Sequence, residues 1–568
     1  MLNKISNSLF NDLNYKFIPL LFAPVIFALS ACAPTGEGSG ANPGVEEFPI
    51  AYVKRKILLD NNGNIEQPDI REPLLSMPGG DLYLKSNSSI GAVETNITSS
   101  ITYGMGDVKD VNVSYDGKTL IFSLLPEDPD PNDNIDPKWD IYSYNRITNE
   151  LKRVIESNIL AKEGDDIAPH FLPDGRIVFS SNRQSKSRAI LLDESLSKPQ
   201  FSSQDEDDRT KALVLHVMSF DGNNIEQISF NQSHDLDPMV LQNSGRVLFS
   251  RWNNMGSQSE ISLYTMNPDG TDVQMHYGSH SHNTGSNGNT IQFLQPRETS
   301  DNNIMAVIQP FTGTFSGGDI IQINTNKYAD NKQGIWAQQA LETGTAPTVF
   351  THNVTSGSAL FLCGRFGSSY SLGDCSNRTL VSWNQCQILS VPTDPLSKVI
   401  PCTLASQAQL DDPDLVEAPP AYGVYLMDFS SYNQIPVVIP EADTLITDVV
   451  AAYARTKPAI AAVDVVTYTI NVGHNMGVLH IRSFYDLDEN FNILGTSATG
   501  INSTADMADP TQTVADERPA RFIRIIKAVS IPDTNTRSIS NNAFGVSTEQ
   551  GMREILGYAP IEPDGSVK

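Results

Sequence analysis

The stretch Asp166-Ile167-Ala168-Pro169-His170-Phe171-Leu172-Pro173-Asp174-Gly175-Arg176-Ile177-Val178-Phe179-Ser180 returns, one residue longer, as Asp235-Leu236-Asp237-Pro238-Met239-Val240-Leu241-Gln242-Asn243-Ser244-Gly245-Arg246-Val247-Leu248-Phe249-Ser250. A looser copy runs from Asp110 through Tyr115-Asp116-Gly117 to Leu120-Ile121-Phe122-Ser123. Each copy turns at Asp-Gly or Ser-Gly and follows the turn with an apolar strand, so the repeating unit is a hairpin and not a helix pair. The other half of the unit recurs too, as Asp140 to Tyr144, Leu215 to Gly222 and Leu263 to Gly270.

Four short strands per unit, repeated around an axis, make a β-propeller, in which no blade buries both of its faces alone and the ring protects nearly every sheet edge. The template places blades near 98–158, 163–231, 234–280, 282–330 and 347–440. Phe48 to Arg55 resembles a second strand and Gly79 to Leu84 a third, and the missing inner strand is available from Thr444 to Arg455 at the far end. A blade assembled from both ends of the ring covers its free edges, so the expected fold is all-β, with six blades and seven as the alternative count. The propeller is taken as 48–464 and is followed by a β-rich domain, 465–568.

Lys4 and Lys16 precede an apolar run, Phe17 to Ala31, that is short for a membrane span and ends Leu29-Ser30-Ala31-Cys32. Small residues before a cysteine resemble the bacterial lipobox, which makes 1–31 a lipoprotein signal peptide and Cys32 the lipidated residue. Ala33 after the cysteine points to the outer membrane, on the periplasmic side of the cell envelope. Residues 32–47, rich in Gly, Pro, Ser and Glu, read as a flexible tether.

With 39 Lys plus Arg against 66 Asp plus Glu, the net charge is −27 and no basic block interrupts it, which argues against a nucleic-acid partner. The expected contacts are a membrane, through the anchor, and a protein or small-molecule ligand at a propeller face. Four further cysteines, Cys363, Cys375, Cys386 and Cys402, cluster locally as disulfide candidates, with sequential pairing the simplest of three connectivities. No C-x-x-C-H occurs, so the chain carries no covalent c-type haem motif.

Two groups of side chains have ligand chemistry. His276, His280 and His282, with Arg297 and Glu298 beside them, offer imidazoles for a metal. Asp128, Asp130, Asn132, Asp133 and Asp136 offer hard oxygens for calcium, without the glycine and terminal glutamate of an EF-hand. Each has an ordinary counterpart, a solvated histidine-bearing loop and a solvated acidic loop.

The blade Pro173-Asp174-Gly175-Arg176-Ile177-Val178-Phe179-Ser180-Ser181-Asn182-Arg183 resembles the TolB-like propeller repeat. Together with Arg518-Pro519-Ala520-Arg521 and the run Arg553-Glu554-Ile555-Leu556-Gly557-Tyr558-Ala559-Pro560-Ile561-Glu562-Pro563-Asp564-Gly565-Ser566, it is similar to the hydrazine synthase alpha-subunit family and its exported relatives. The resemblance implies a propeller joined to a β-rich middle domain, with c-type haems whose attachment motifs have no counterpart in this chain. The terminal Pro-Asp-Gly turn, followed by only three residues, is expected to leave its strand unpaired, as if the chain continued into a haem domain. No catalytic residue carries over. The functional expectation is a lipid-anchored propeller that binds or scaffolds, as the non-haem part of a redox protein in one version. The competing expectations are an oxidoreductase with haem beyond residue 568 and a metal-dependent propeller hydrolase or lyase.

Overall fold

A computed structural model describes residues 48–461 except 60–64, 131, 134–135, 185–211, 232, 256–257, 285–289, 314–316, 332, 335–347, 350–359, 361, 363, 375–377, 392–397, 411, 413, 430–432 and 443. Beyond 461 it describes 481, 484, 506, 509–514, 518, 520–529, 552–563 and 565–567. Six four-stranded antiparallel sheets form a propeller. From the inner strand outward, the first blade is Asp107–Val113, Thr119–Leu125, Asp140–Asn145 and Glu150–Arg153. The second is Asp166–Phe171, Ile177–Ser181, Val214–Met218 and Glu226–Gln227, and the third Asp235–Val240, Val247–Met255, Gln258–Met266 and Gln274–Tyr277. The fourth is Gln292–Glu298, Ile304–Gln309, Asp319–Ile323 and Thr348–Val349, and the fifth Arg365–Ser371, Arg378–Asn384, Tyr422–Asp428 and Asn433–Val438.

The sixth, closing blade takes its inner strand from Thr444–Ala451 and the rest from Ile50–Lys56, Asp81–Lys85 and Glu94–Asn96. Its seam is antiparallel, from Ile50 opposite Ala451 to Lys56 opposite Thr444. One boundary differs from the template. Thr348–Val349 is the outer strand of the fourth blade, while Tyr328–Asp330 turns back on Gln333–Gly334. The excursion between them carries no template residues, which is why the sequence pattern hands 347 onward to the fifth blade.

The apolar cores lie between blades. Tyr115, Ile121 and Ile141 of the first blade meet Phe171, Ile177 and Phe179 of the second; Val178 and Leu215 meet Val247 and Phe249 of the third; Leu248 and Leu263 meet Phe293 and Ile308 of the fourth. A single large cluster joins the closing blade to both neighbours through Tyr52, Val53, Val108, Phe122, Tyr422 and Ile446. This explains the sequence pattern: middle strands covered on both faces are apolar at nearly every position, as in Ile304–Gln309.

Three repeated side-chain devices hold the ring. Aromatic pairs bridge the second and third strands at equivalent positions, Tyr52 to Tyr83, Phe122 to Tyr142 and Phe249 to Tyr264, with His216 taking the place of tyrosine opposite Phe179. A serine in the second strand, following Phe in three cases and Val in the fourth, fastens four of the six blades to the next. Ser180 Oγ donates to the Asp235 carbonyl at 2.7 Å, Ser250 Oγ to Phe293 at 3.0 Å, and Ser382 Oγ to Ile446, while Ser123 Oγ accepts from the Ala168 amide at 3.0 Å. An arginine then meets the aspartate that opens an inner strand: Arg183 with Asp166, Arg251 with Asp235 at 2.7 Å, and Arg55 with Asp107 at 3.5 Å.

Strand direction makes the two ends of the ring unlike. Inner strands leave through short Asp-Gly or Ser-Gly turns on one face, the turn face, where Gly117, Gly175 and Gly245 have φ of 71°, 93° and 68°. The connections between second and third strands, and those between blades, emerge on the opposite, loop face. There Cys386 and Cys402 form a disulfide with Cα atoms 5.5 Å apart. Cys32, Cys363 and Cys375 lie outside the described residues. The bridge closes a loop of 16 residues, and replacing either cysteine by serine is expected to destabilise the chain by about 3 kcal/mol. Urea unfolding of the variant beside the wild type, with and without reductant, checks this, since reductant should then affect only the wild type at that bond.

Beyond the propeller, Phe522–Val529 pairs with Met552–Pro560. The terminal turn is not left unpaired. Val567 and Ile481 exchange backbone hydrogen bonds at 2.9 and 3.0 Å, and the Phe484 amide donates to the Gly565 carbonyl at 2.8 Å. A strand partner distant in sequence satisfies the last residues, which the local pattern could not show.

Candidate channel site

Each inner strand breaks register once, and the breaks converge on the propeller axis. The shifts fall between Lys109 and Asn112, Ile167 and His170, Leu236 and Met239, Leu294 and Arg297, and Phe366 and Ser368, with the closing blade's shift opposite Ala51 to Val53. These are β-bulges, and five carry a non-glycine residue in the left-handed region: Asp110 (φ 58°), Ala168 (52°), Asp237 (50°), Gln295 (47°) and Asp448 (54°). Pro169, Pro238 and Pro296 follow three of them, and proline, having no N–H to offer a ladder, suits a bulge.

The bulges aim three carboxylates inward and tie the ring together. The Asp110 amide donates to Asp448 Oδ1 at 3.0 Å, the Ala168 amide to Asp110 Oδ2 at 3.0 Å, and the Gln295 amide to Asp237 Oδ2 at 3.0 Å. Ser123 Oγ donates to Asp110 Oδ2 at 2.8 Å. A bulge aspartate thus accepts the bulge amide of the next blade wherever the sequence supplies one. Strain in the left-handed region, on the order of 1–3 kcal/mol per residue, is offset by these charge-assisted bonds.

Arg297 of the fourth blade and Arg455, from the segment after the closing strand, bring positive charge to the same axis, and His170 lies among them. Burial raises the Asp237 carboxyl to about 6, with the Asp110 charge adding to it. Burial, then Asp110, also raises Asp448. Burial lowers the Arg297 guanidinium, and burial followed by the charges of Arg455 and Arg297 lowers His170 to about 3, so its imidazole is neutral near pH 7.

Both mouths are crossed by the chain itself. On the loop face, Leu74 packs against Trp139, Ile167, Leu213 and Leu236, Ile70 against Trp252 and Leu294, and the Ile70 amide donates to Phe311 at 3.0 Å. Lys109 reaches the Pro73 carbonyl and lies 4.2 Å from the Trp139 ring centroid. On the turn face, residues 452–461 form a strap. The Arg455 amide donates to the Tyr115 carbonyl at 2.8 Å and the Ala459 amide to the Gln242 carbonyl at 2.8 Å. Gly117 and Gly245 lie directly against it: a Cβ on Gly245 would come within 2.1 Å of the Ala459 carbonyl oxygen, whereas one on Gly175 would meet nothing.

The other candidate side chains go elsewhere. His282 is buried, its Nε2 at 3.0 Å from Ser262 Oγ and its Nδ1 at 2.6 Å from the Ile291 carbonyl; His280 is exposed; burial lowers His276 to about 4. Arg297 faces the channel, and Glu298 accepts from the Gln242 amide, so neither joins the histidines. Asp128 and Asp130 accept from the amides of Asp130 and Asn132. Asp133, whose amide donates to the Asp130 carbonyl, and Asp136 share that exposed loop. Among the described residues, no three His, Cys, Asp or Glu are grouped to hold a metal ion. Of the channel residues the sequence singles out Arg297 alone, and for a different group. Their one signal was a polar or small residue at the same template position, Asp110, Ala168 and Asp237, inside otherwise apolar strands.

The geometry defines a six-bladed β-propeller with a charged axial cluster closed at both mouths. No protein-family model matches the chain, and no curated protein matches it. Among solved structures it is similar to the hydrazine synthase of Kuenenia stuttgartiensis, at 16% identity and a TM-score of 0.57, over 92% of this chain and 64% of that one. It also matches TolB from Acinetobacter baumannii (11% identity, TM-score 0.37, 71% and 66% covered) and an oligogalacturonate lyase in complex with manganese (12%, 0.31, 68% and 78%). The likeness to hydrazine synthase is one of fold, and this chain spans less than two-thirds of that protein's matched chain.

Proposed function

We propose that this is a binding scaffold of the bacterial cell envelope, tethered through a lipid on Cys32, whose propeller presents its faces to a protein or small-molecule ligand. The supporting observation is the strap and the Leu74 crossing: the axial cluster is packed under the chain's own segments, so recognition falls to the faces. The test is in two parts. Radiolabelled palmitate should enter the wild-type chain and not Cys32→Ser, which should fractionate away from membranes. Turnover of a defined substrate by the purified chain would sink the scaffold reading.

The fold shared with hydrazine synthase supports a second reading, in which the chain is the non-haem part of a redox protein. The residues here do not fit a c-type haem, since no C-x-x-C-H is present and two of the five cysteines are bonded to each other. The haem would therefore belong to another region or subunit, and peroxidase-type staining of the full-length product separates this reading from the first.

A further inference from the structure

We infer that the turn-face mouth of the channel is a guanidinium-binding socket that the chain's own Arg455 occupies as a built-in ligand. The Arg455 guanidinium carbon lies 5.0 Å from the ring centroid of Tyr115 in the first blade and 5.8 Å from that of Tyr370 in the fifth. Both rings are buried, and the Tyr115 hydroxyl is fixed by donating to the Phe171 carbonyl at 2.8 Å. Arg455 Nη2 donates to the Val113 carbonyl at 2.9 Å, while its Nε has no hydrogen-bond partner among the described residues. Two aromatic faces and a carbonyl suit a planar, weakly hydrated cation better than a compact ammonium ion.

The strap is rooted at its start, where the Ala452 amide donates to the Pro49 carbonyl at 2.8 Å and the Tyr453 ring lies 5.6 Å from that of Phe48. From Arg455 onward it is fastened by the two amide bonds to Tyr115 and Gln242 and by Gln242 Nε2 donating to the Lys457 carbonyl at 3.0 Å. Ala454, Thr456, Lys457, Ala459 and Ile460 are exposed. The socket is therefore built from the first and fifth blades, with the second fixing the Tyr115 hydroxyl, whereas its occupant arrives on residues 454–461, which belong to no sheet. A guanidinium-bearing ligand competes with Arg455 for the same rings, and the ligand class is an arginine side chain or a small guanidinium compound. The inference does not depend on anchoring at Cys32 or on a haem partner.

The test uses the full chain. Methylguanidinium at millimolar concentration should raise the Tm of Arg455→Ala with the logarithm of its concentration above Kd, by about 1–2 °C at roughly tenfold its Kd. Ethylammonium at equal ionic strength should not, and Tyr370→Leu in the same background should abolish the effect. Hydrogen exchange in wild type needs no folded variant: methylguanidinium should speed exchange of the Arg455 and Ala459 amides several-fold, and ethylammonium should leave it unchanged. Equal responses to the two cations, or no response in either assay, overturn the socket.

Discussion

Replacing Arg183 by alanine is expected to destabilise the propeller by about 3–5 kcal/mol, because it leaves a fully buried carboxylate without its counter-charge. Arg183 is 1% exposed and Asp166 is 0% exposed. The guanidinium Nε donates to Asp166 Oδ1 at 3.0 Å, Nη2 donates to Oδ2, and Nη1 donates to the Leu160 carbonyl at 3.0 Å. Gly164 makes room, since a Cβ there would come within 2.7 Å of Arg183 Cβ. Even with its partner, Asp166 is pushed up by burial. Without Arg183 the carboxyl rises further and takes a proton more readily, so the loss should be greater at pH 8 than at pH 5. The double variant Arg183→Met with Asp166→Asn should recover part of the loss. Urea unfolding of the three chains at both pH values checks the prediction, and equal stability of wild type and Arg183→Ala would contradict it.

Asp319→Asn should do the opposite. Asp319 opens the third strand of the fourth blade with no exposure; its Oδ1 accepts the Ile320 amide at 2.7 Å and its Oδ2 has no partner among the described residues. Burial raises its carboxyl from 3.8 to about 7, only partly opposed by the Ile320 hydrogen bond. An acid whose folded pKa lies above its unfolded value binds more protons folded than unfolded. Its contribution is therefore most favourable below pH 3.8, declines as pH rises to about 7, and is flat beyond. Asparagine keeps the acceptor for Ile320 and removes the charge. The variant should gain on the order of 3 kcal/mol at pH 8 and nothing near pH 4. Thermal unfolding at the two pH values reads the difference, and a gain independent of pH would rule out ionisation as its cause.

The ring could be read from the chain because its information is local and repeated. An Asp-Gly or Ser-Gly turn, an apolar strand and a closing serine recur at Ser123, Ser180 and Ser250, and the resemblance of Phe48 to Arg55 to a second strand was enough to require a partner from beyond Thr444. The axial cluster was harder to see because its members meet only through closure. Asp110, Asp237 and Asp448 stand in three blades, and nothing local distinguishes them from solvated aspartates until the bulges turn them inward. Arg455 follows the last inner strand, and only the crossing of residues 452–461 over the turn face brings it to Tyr115 and Tyr370. The histidines mislead for the converse reason. Closeness in sequence suggested convergence, yet strand alternation and the start of the next blade send His276 and His282 to different neighbours.

The seam between Ile50–Lys56 and Thr444–Ala451 has a consequence in time. Residues about 400 positions apart must meet, and at the usual 5–20 residues per second of synthesis the first strand waits roughly 20–80 s for its partner. Throughout that interval Ile50–Lys56 presents an unpaired edge, apolar from Ile50 to Val53, the kind of template on which foreign strands add. Such distant pairing also slows folding once the chain is complete. The nascent protein therefore has to be kept from its neighbours for longer than a propeller whose blades each come from a single continuous stretch, and its yield should be set by the lifetime of the open ring more than by the stability of the closed one.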